Sequence, residues 1–475
     1  MAKQVMMVVM MVALMAGTAS ATAYNDAASG SWTAPATWGA AGYPDDTPAQ
    51  ADTATVDSSN VLTNVDLTSD LTIVLDGGML YGERDKNISR QIDAAILVKS
   101  QSTVRGYTGL WYPEANDNTH FNGVISDFDG ANTGLLVFDH AWSSVFLNNT
   151  NAWTGGSRID AGAVTATATN AMGTGGVTVN SGDRVALTVT ADMGLGTGTV
   201  VVNGGNSTTA TGLRFTVAQT YGQGGNPAQP SITIGTGGQL RSGYSGALDL
   251  DLTFGDGSMI YGSRWSDNYA LNLTGDITIT GEVEVYHDNG GNTTISGPVS
   301  GAGRFKKTNS RALILTHAGN TFSGGVHVMS GGTVYAQAAG SLGTGDVVVF
   351  GDGELELDAA GAMDPNASLY LLAGSAGFMD LDADNTVAGV NIGGTWDGVN
   401  DELLVGTGTW LPGGDYTSTA VGDPGNPSGM DLSGYMDLGG NTLTITEAAA
   451  PIPEPAGLGL IGLALLGLKR KRSRS

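Results

Sequence analysis

Runs of four to seven residues rich in Thr, Val, Ile and Leu recur along this chain, each closed by Gly, Asn or Asp, and that pattern limits the fold more than any other feature. Leu71 to Leu75, Val177 to Asn180, Thr199 to Val202, Ile277 to Thr280, Val347 to Phe350, Glu354 to Leu357 and Thr442 to Thr446 are examples. Turn dipeptides such as Asp76-Gly77, Asn203-Gly204, Asp256-Gly257 and Asp352-Gly353 stand between them, where Gly accepts the positive φ of a tight turn. From Tyr24 to about Ala450 no apolar stripe of helical period appears, so the body reads as all-β. With 74 Gly, 14% charged residues and no Cys, the composition fits strands and turns rather than helical bundles. It also removes thiol nucleophiles, Cys-based zinc sites and disulfides, leaving packing and backbone ladders to supply stability.

The pattern repeats at two scales. Asp76-Gly77-Gly78-Met79-Leu80-Tyr81-Gly82, followed by Arg84, returns as Asp256-Gly257-Ser258-Met259-Ile260-Tyr261-Gly262, followed by Arg264. In the same order Gly123-Val124-Ile125-Ser126 answers Gly297-Pro298-Val299-Ser300, and Trp153-Thr154-Gly155-Gly156 answers Phe322-Ser323-Gly324-Gly325. Met172-Gly173-Thr174-Gly175 then answers Leu342-Gly343-Thr344-Gly345. Preserved order with drifting offset describes two diverged copies. Within the first copy Met172-Gly173-Thr174-Gly175 returns as Leu195-Gly196-Thr197-Gly198, a spacing that suits one rung of a parallel β-solenoid. At about 20 to 25 residues per rung the body would hold roughly 17 to 21 rungs, a rod on the order of 80 to 100 Å. Tandem β-sandwiches are the competing architecture.

The run from Leu313-Ile314-Leu315-Thr316-His317-Ala318-Gly319-Asn320-Thr321-Phe322-Ser323-Gly324-Gly325 through Ser330-Gly331-Gly332-Thr333-Val334 and Leu342-Gly343-Thr344-Gly345 is similar to the autotransporter-associated β-strand repeat. Its copy near Asn149 to Val179 is more distant, with Trp153 in place of Phe322. The resemblance implies a right-handed parallel β-helix. No terminal β-barrel of alternating strands follows, so only the passenger architecture carries over. The opening Trp32 to Asp52, with Trp38 and Pro44, looks like a coil covering the solenoid end.

Both ends read as addresses. Lys3, the apolar run Val5 to Ala16 and the small-x-small site Ala21-Thr22-Ala23 form a secretory signal. At the other end Pro451-Ile452-Pro453-Glu454-Pro455, the apolar stretch Ala456 to Leu468 and the cluster Lys469, Arg470, Lys471, Arg472 and Arg474 follow one another. Thirteen apolar residues make a marginal span, and the cations would hold the terminus cytoplasmic. Pro453-Glu454-Pro455 with this helix and basic cluster resembles the PEP-CTERM sorting signal of bacterial exopolysaccharide-producing lineages. The N-terminal site makes signal peptidase a partner, and the resemblance implies an exosortase-like membrane enzyme as another, with transient membrane association and export across the inner membrane to a cell-surface or extracellular place. A plain C-terminal anchor is the other reading of the same hydropathy.

The formal charge is −25; without Lys3 and the tail's five basic and one acidic residues, the body approaches about −30. Such a body repels nucleic acid and suits cations or neutral glycans. Chemistry-bearing motifs are sparse: His120, His140, His287, His317 and His327 show no metal-ligand spacing, and no nucleophile elbow or phosphate loop occurs. Asp380-Leu381-Asp382-Ala383-Asp384 places three carboxylates on one face of an extended run and could hold Ca²⁺. It breaks the EF-hand pattern at Asn385 and Asn391. Glu354 and Glu356 alternate toward water, and Arg84 and Arg264 occupy matching places in the two copies.

The chain is therefore expected to divide into a signal peptide with its helix (1–23), an N-terminal capping segment (24–70), a first solenoid copy (71–250), a second copy with C-terminal strands (251–447) and a sorting tail with a hydrophobic helix (448–475). No catalytic residue, no cofactor and no metal is expected. The function this points to is a non-enzymatic spacer, adhesin or biofilm component near extracellular polysaccharide. A secreted polysaccharide lyase or glycan-binding protein on the same scaffold is the alternative.

Overall fold

Alternation decides which side of each run turns inward. In Val177–Val179, Val200–Val202, Ile232–Ile234, Leu252–Phe254 and Ile277–Ile279 the first and third side chains are buried and the middle one is half-exposed, the period of two that a strand imposes. A computed structural model describes residues 23–25, 28–39, 42–44, 51–82, 89–105, 118–130, 134–182, 185–204, 212–221, 228–262, 269–287, 291–372, 378–397, 402–404 and 407–446. The signal segment up to residue 22, the sorting tail, Arg84 and Arg264 lie outside them, while Ala23 opens the strand Ala23–Asn25.

The chain forms an all-β solenoid of about 12 turns in two compact units, Met1–Pro298 and Val299–Ser475. In the first unit Val177 lies beside Val200, Val200 beside Ile232, Ile232 beside Leu252 and Leu252 beside Ile277, all in parallel register. Each inward side chain thus sits on its like in the next turn, and none of these five is more than 2% exposed. A second ladder of the same unit runs through Ala186–Val189, Gly212–Phe215, Gln239–Ser242, Ser258–Tyr261 and Glu282–Tyr286. Turn length varies: Thr53 pairs with Thr72, 19 residues on, whereas Val200 pairs with Ile232, 32 on. Such insertions, together with the closing structure after residue 392, leave fewer turns than the 17 to 21 expected. Parallel ladders also exclude tandem sandwiches, whose sheets are antiparallel.

The second unit keeps a steadier period. One ladder joins Arg304–Thr308, Val326–Val328, Val347–Val349, Ser368–Leu371 and Gly389–Ile392; another joins Ala312–Leu315, Thr333–Ala336, Glu354–Leu357, Phe378–Leu381 and Met436–Asp437. Its last turn is closed by Thr409–Trp410, antiparallel to Gly389–Ile392, and by Leu443–Ile445, which joins Asn385–Val387 to Gly414–Tyr416. Half-exposed Trp396 and Trp410 pack their rings 5.7 and 5.5 Å from that of Tyr370 on the outer face. Covering an open edge removes a template for pairing with another chain.

The motifs duplicated in the sequence prove to be corner staples. Asn151 precedes the Trp153 motif, and its Oδ1 accepts from the Ile125 N–H at 2.7 Å while its Nδ2 donates to the Ala171 carbonyl at 2.7 Å. Asn320, before Phe322, repeats this with the Val299 N–H at 2.9 Å and the Ser341 carbonyl at 2.8 Å, each 21 residues away. Both amides are buried and join three successive turns where strand pairing is interrupted. Trp153 and Phe322 fill the core beneath them, both 0% exposed. Gly173 and Gly343, with φ of 74° and 72°, lie so close above these rings that an added Cβ would stand 2.6 and 2.3 Å from the carbonyl oxygens of Trp153 and Phe322. The Leu/Met-Gly-Thr-Gly motif is thereby explained by close approach.

At the N-terminal end of the first unit, the four-residue helix Pro35–Trp38 brings Trp38 edge-on to Trp32 at 4.9 Å. Trp32 Nε1 donates to the Pro44 carbonyl and Trp38 Nε1 to the Trp32 carbonyl, so two large rings are buried with their polar handles satisfied. Trp32, Trp38 and Pro44, which the sequence suggests belong to a covering coil, are brought together by these two hydrogen bonds.

Replacing Asn320 with Leu strands the Val299 N–H and the Ser341 carbonyl, and should destabilise the protein by about 2–4 kcal/mol at two buried, unpaired backbone groups. Urea unfolding of the purified protein measures this, and an unchanged midpoint would mean the amide is no staple.

Candidate functional site

On the outer face of the second unit, parallel register gathers carboxylates that the sequence holds apart. Tyr335 pairs with Glu356, Glu356 with Asp380, and Asp380 with Asp437, forming one outward column across the strands Thr333–Ala336, Glu354–Leu357, Phe378–Leu381 and Met436–Asp437. The inward positions of the same strands are Val334, Leu355, Met379 and Met436, all 0–1% exposed, so the buried stripe fixes which side the acids occupy. Asp358 and Asp382 stand at the ends of neighbouring strands; ligand oxygens of Glu356, Asp358 and Asp382 lie within 4.8 Å of one another.

Neighbours hold the comb in place. Gln337 Nε2 donates to Asp358 Oδ2 at 2.8 Å, and the Thr333 hydroxyl donates to Glu354 Oε2 at 3.3 Å. Burial first, then the charges of Asp358, Asp380, Glu354 and Asp382, push the Glu356 carboxyl up to about 7. Asp380 is raised by the same causes, burial ahead of Asp382 and Asp437. Tyr335 is raised as well, by burial and then by Glu356. Near neutral pH such a cluster resists full ionisation.

Of the expected acidic comb, Asp380 and Asp382 meet Glu356 and Asp358, but Asp384 does not join them. The strand ends at Leu381, and Asp384 accepts the Thr442 N–H at 2.7 Å in the closing structure. Three side chains on one face require an extended run, and the bend after Leu381 breaks it. Glu354 is exposed as expected, whereas Glu356 is half-buried. Three carboxylates would supply only part of the roughly six to eight oxygens that Ca²⁺ takes.

The histidines disperse. His120 stacks on Phe146 at 4.6 Å, His287 is buried with Nε2 2.8 Å from the Thr293 hydroxyl, and His327 is buried against Phe350 and Trp396. The side chain of His140 lies outside the described residues. Lys307 escapes a reading by residue type: it is fully buried, and its Nζ donates to the carbonyls of Thr308, Asn309 and Ser310 at 2.5, 2.6 and 3.3 Å. It thereby clamps a turn in which Asn309 and Arg311 have φ of 60° and 71°. Among the described residues no helix is long and apolar enough to cross a membrane. No protein-family model matches the chain, and no curated protein or solved structure matches it either.

Glu356 sets a pH dependence. Its folded value, about 7, lies above its ordinary value of 4.5, so the folded state holds the proton more tightly than the unfolded chain. That stabilisation is full below pH 4.5 and is lost as pH rises through about 7. The Asp76, Asp352 and Asp431 carboxyls shift the opposite way, held chiefly by hydrogen bonds from Lys99, Ser330 and Ser433, and titrate below this window. His120, lowered by burial, acts in the opposite sense at the acid side of this range, so the comparison is between two proteins: from pH 5 to 8 the denaturation midpoint of the parent should fall relative to that of Glu356→Gln, which should be the more stable form at pH 8. Identical slopes for the two proteins would refute the assignment.

Proposed function

We propose that this chain is an exported, non-enzymatic surface or matrix protein, a right-handed β-solenoid that acts as a spacer or adhesin near extracellular polysaccharide. The observation that carries the reading is the use made of the duplicated residues. Asn151 and Asn320, Trp153 and Phe322, Gly173 and Gly343 all serve to hold one turn on the next. What the sequence repeats is scaffold, and a scaffold of this kind sets a distance and displays an outer surface. In this reading the signal segment is cut near Ala21 to Ala23 by signal peptidase. An exosortase-like enzyme handles Pro453-Glu454-Pro455 while the helix and basic cluster Lys469 to Arg474 hold the chain briefly in the membrane.

One observation favours a second reading, a secreted polysaccharide-cleaving enzyme. Glu356, half-protonated near neutral pH, stands beside Asp358 and Asp382 as an acid next to two carboxylates, although their oxygens, within 4.8 Å of one another, lie closer than the roughly 5–5.5 Å of a retaining pair. The scaffold reading stays ahead because these acids line the outward side of a single sheet.

Incubating the purified body with acidic and neutral glycans should release no new reducing or unsaturated ends. Cleavage abolished by Glu356→Gln would replace the scaffold reading with the enzymatic one. Cells producing a chain that lacks residues 451–475 should fail to place it at the surface or in the matrix; fractionation showing the same placement as the full chain would remove the sorting claim.

A further inference from the structure

The buried asparagines among the described residues are Asn151, Asn320, Asn385, Asn391 and Asn426, and all but Asn391 use both ends of the amide. Asn151 and Asn320 staple corners. Asn385 accepts the Met363 N–H and donates to the Ala359 carbonyl, and Asn426 accepts from the Ser428 hydroxyl and donates to the Met430 carbonyl. Asn391 is 0% exposed, yet among the described residues no donor meets its Oδ1 and no acceptor its Nδ2. Both unmade bonds weaken the fold, since a buried polar group gives up water and receives nothing in return.

Register and alternation fix where this amide points. Val390 and Ile392, its neighbours in the strand Gly389–Ile392, belong to the core, so Asn391 faces outward. It stands between Tyr370 on the preceding turn and Trp410 on the closing strand Thr409–Trp410. Gly408 roofs it so closely that an added Cβ would lie 2.3 Å from Asn391 Oδ1. The amide is therefore the floor of an aromatic surface. Tyr370 and Trp410 are half-exposed, with ring centroids 5.5 Å apart and 73° between their planes. Trp396 also packs edge-on against Tyr370, at 5.7 Å.

Two half-exposed rings over an unbonded amide suit a sugar. A pyranose whose hydroxyls are equatorial carries C–H groups on both faces, which the negative face of an aromatic ring attracts. Its rim carries neighbouring hydroxyls, and an amide meets such a pair with one donor and one acceptor. Ligand sites combine apolar walls with a few placed polar groups in this way. Asp346 Oδ2 lies 3.5 Å from the Tyr370 hydroxyl and the chain carries a charge of −25, which disfavours an anionic sugar. A surface ring changes rotamer quickly, so the amide is reached by a turn of Trp410 and not by unfolding.

We propose that Tyr370 and Trp410 bind a neutral glycan built of equatorial sugars, and that Asn391 is its polar anchor, reached by a pair of sugar hydroxyls when the Trp410 ring swings aside. The unmade bonds at Asn391 are stability forgone for binding. The inference rests on the reading of the chain as a protein that meets polysaccharide without cutting it, and it names the chemistry of one site.

The test is titration of the full mature protein with cellohexaose and with a β-1,4-linked glucuronate oligomer of matched length, following tryptophan emission and the release of reducing ends. Cellohexaose should bind with a shift in emission, and the glucuronate should bind at least about tenfold more weakly. Asn391→Leu, which keeps the shape and removes the polar atoms, should raise the thermal midpoint and weaken cellohexaose about tenfold. Trp410→Ala should abolish binding, but it also strips the closing strand of a ring, so Asn391→Leu is the deciding variant. No binding of cellohexaose, equal binding of the glucuronate, or an Asn391→Leu protein that binds as the parent does would each overturn the site. So would a lowered midpoint for Asn391→Leu, which would show the amide already satisfied at rest. If sedimentation showed self-association lost in Asn391→Leu, the occupant would be a second copy and the proposal would fail. Retention of the parent and both variants alike on extracellular polysaccharide would remove this site and leave the general reading standing; release of reducing ends with binding intact would do the reverse.

Discussion

A rung built from strands of three or four residues has no core of its own. Its apolar stripe is covered only when the next turn lays an identical stripe beside it, and its backbone donors find partners only in that turn. Everything in this chain follows from that mutual dependence between neighbouring turns. Along the strands the ladder satisfies it, with Val177, Val200, Ile232, Leu252 and Ile277 in one buried file. At the corners the ladder stops, and buried backbone groups there would cost about 1–3 kcal/mol each if left unpaired. Asn151 and Asn320 meet that requirement, each offering one donor and one acceptor to different turns. Side-chain amides do at the corners what main-chain amides do in the strands.

The sequence made the fold class legible because strand period and turn residues are local properties. Val-x-Val and Ile-x-Ile runs between Gly, Asn and Asp can be read without knowing any neighbour. The Met172-Gly173-Thr174-Gly175 and Leu195-Gly196-Thr197-Gly198 pair was also legible as a rung period, since close backbone approach demands glycine itself. What stayed hidden is lateral. Whether Glu356 faces Asp380 depends on how many residues each turn consumes, and that number ranges from 19 to 34 in the first unit alone. One residue more between Leu357 and Phe378 could have set a different pair side by side. The alternating acids were visible within each strand, but their meeting was not, and the bend that removes Asp384 belongs to the closing structure.

Lys307 shows period and residue type in open conflict. Arg304-Phe305-Lys306-Lys307 reads by composition as a charged surface segment, yet alternation puts Phe305 and Lys307 on one face, and Phe305 is core. The structure follows the alternation: both are 0% exposed. The ammonium is tolerated because a turn folds its own carbonyls around it, three acceptors for three donors. Position in the period outranked hydrophobicity, which is the expected result when a one-residue slip would turn every other side chain of the strand to the wrong face.

Inward positions in such a body are committed to packing, so whatever the protein does at its surface must be written in the outward ones. Parallel register gives those positions an unusual property: a residue type repeated once per turn becomes a continuous file with neighbours about 4.8 Å apart. Files amplify chemistry. Burial first, and then the carboxylates set beside it, raise the proton affinity of Glu356. The same stacking that makes an inward valine file stable makes an outward charged file costly in the absence of a counter-charge. A column of like charge in a solenoid is therefore a more pointed observation than the same residues scattered over a globule, because register has forced the groups together.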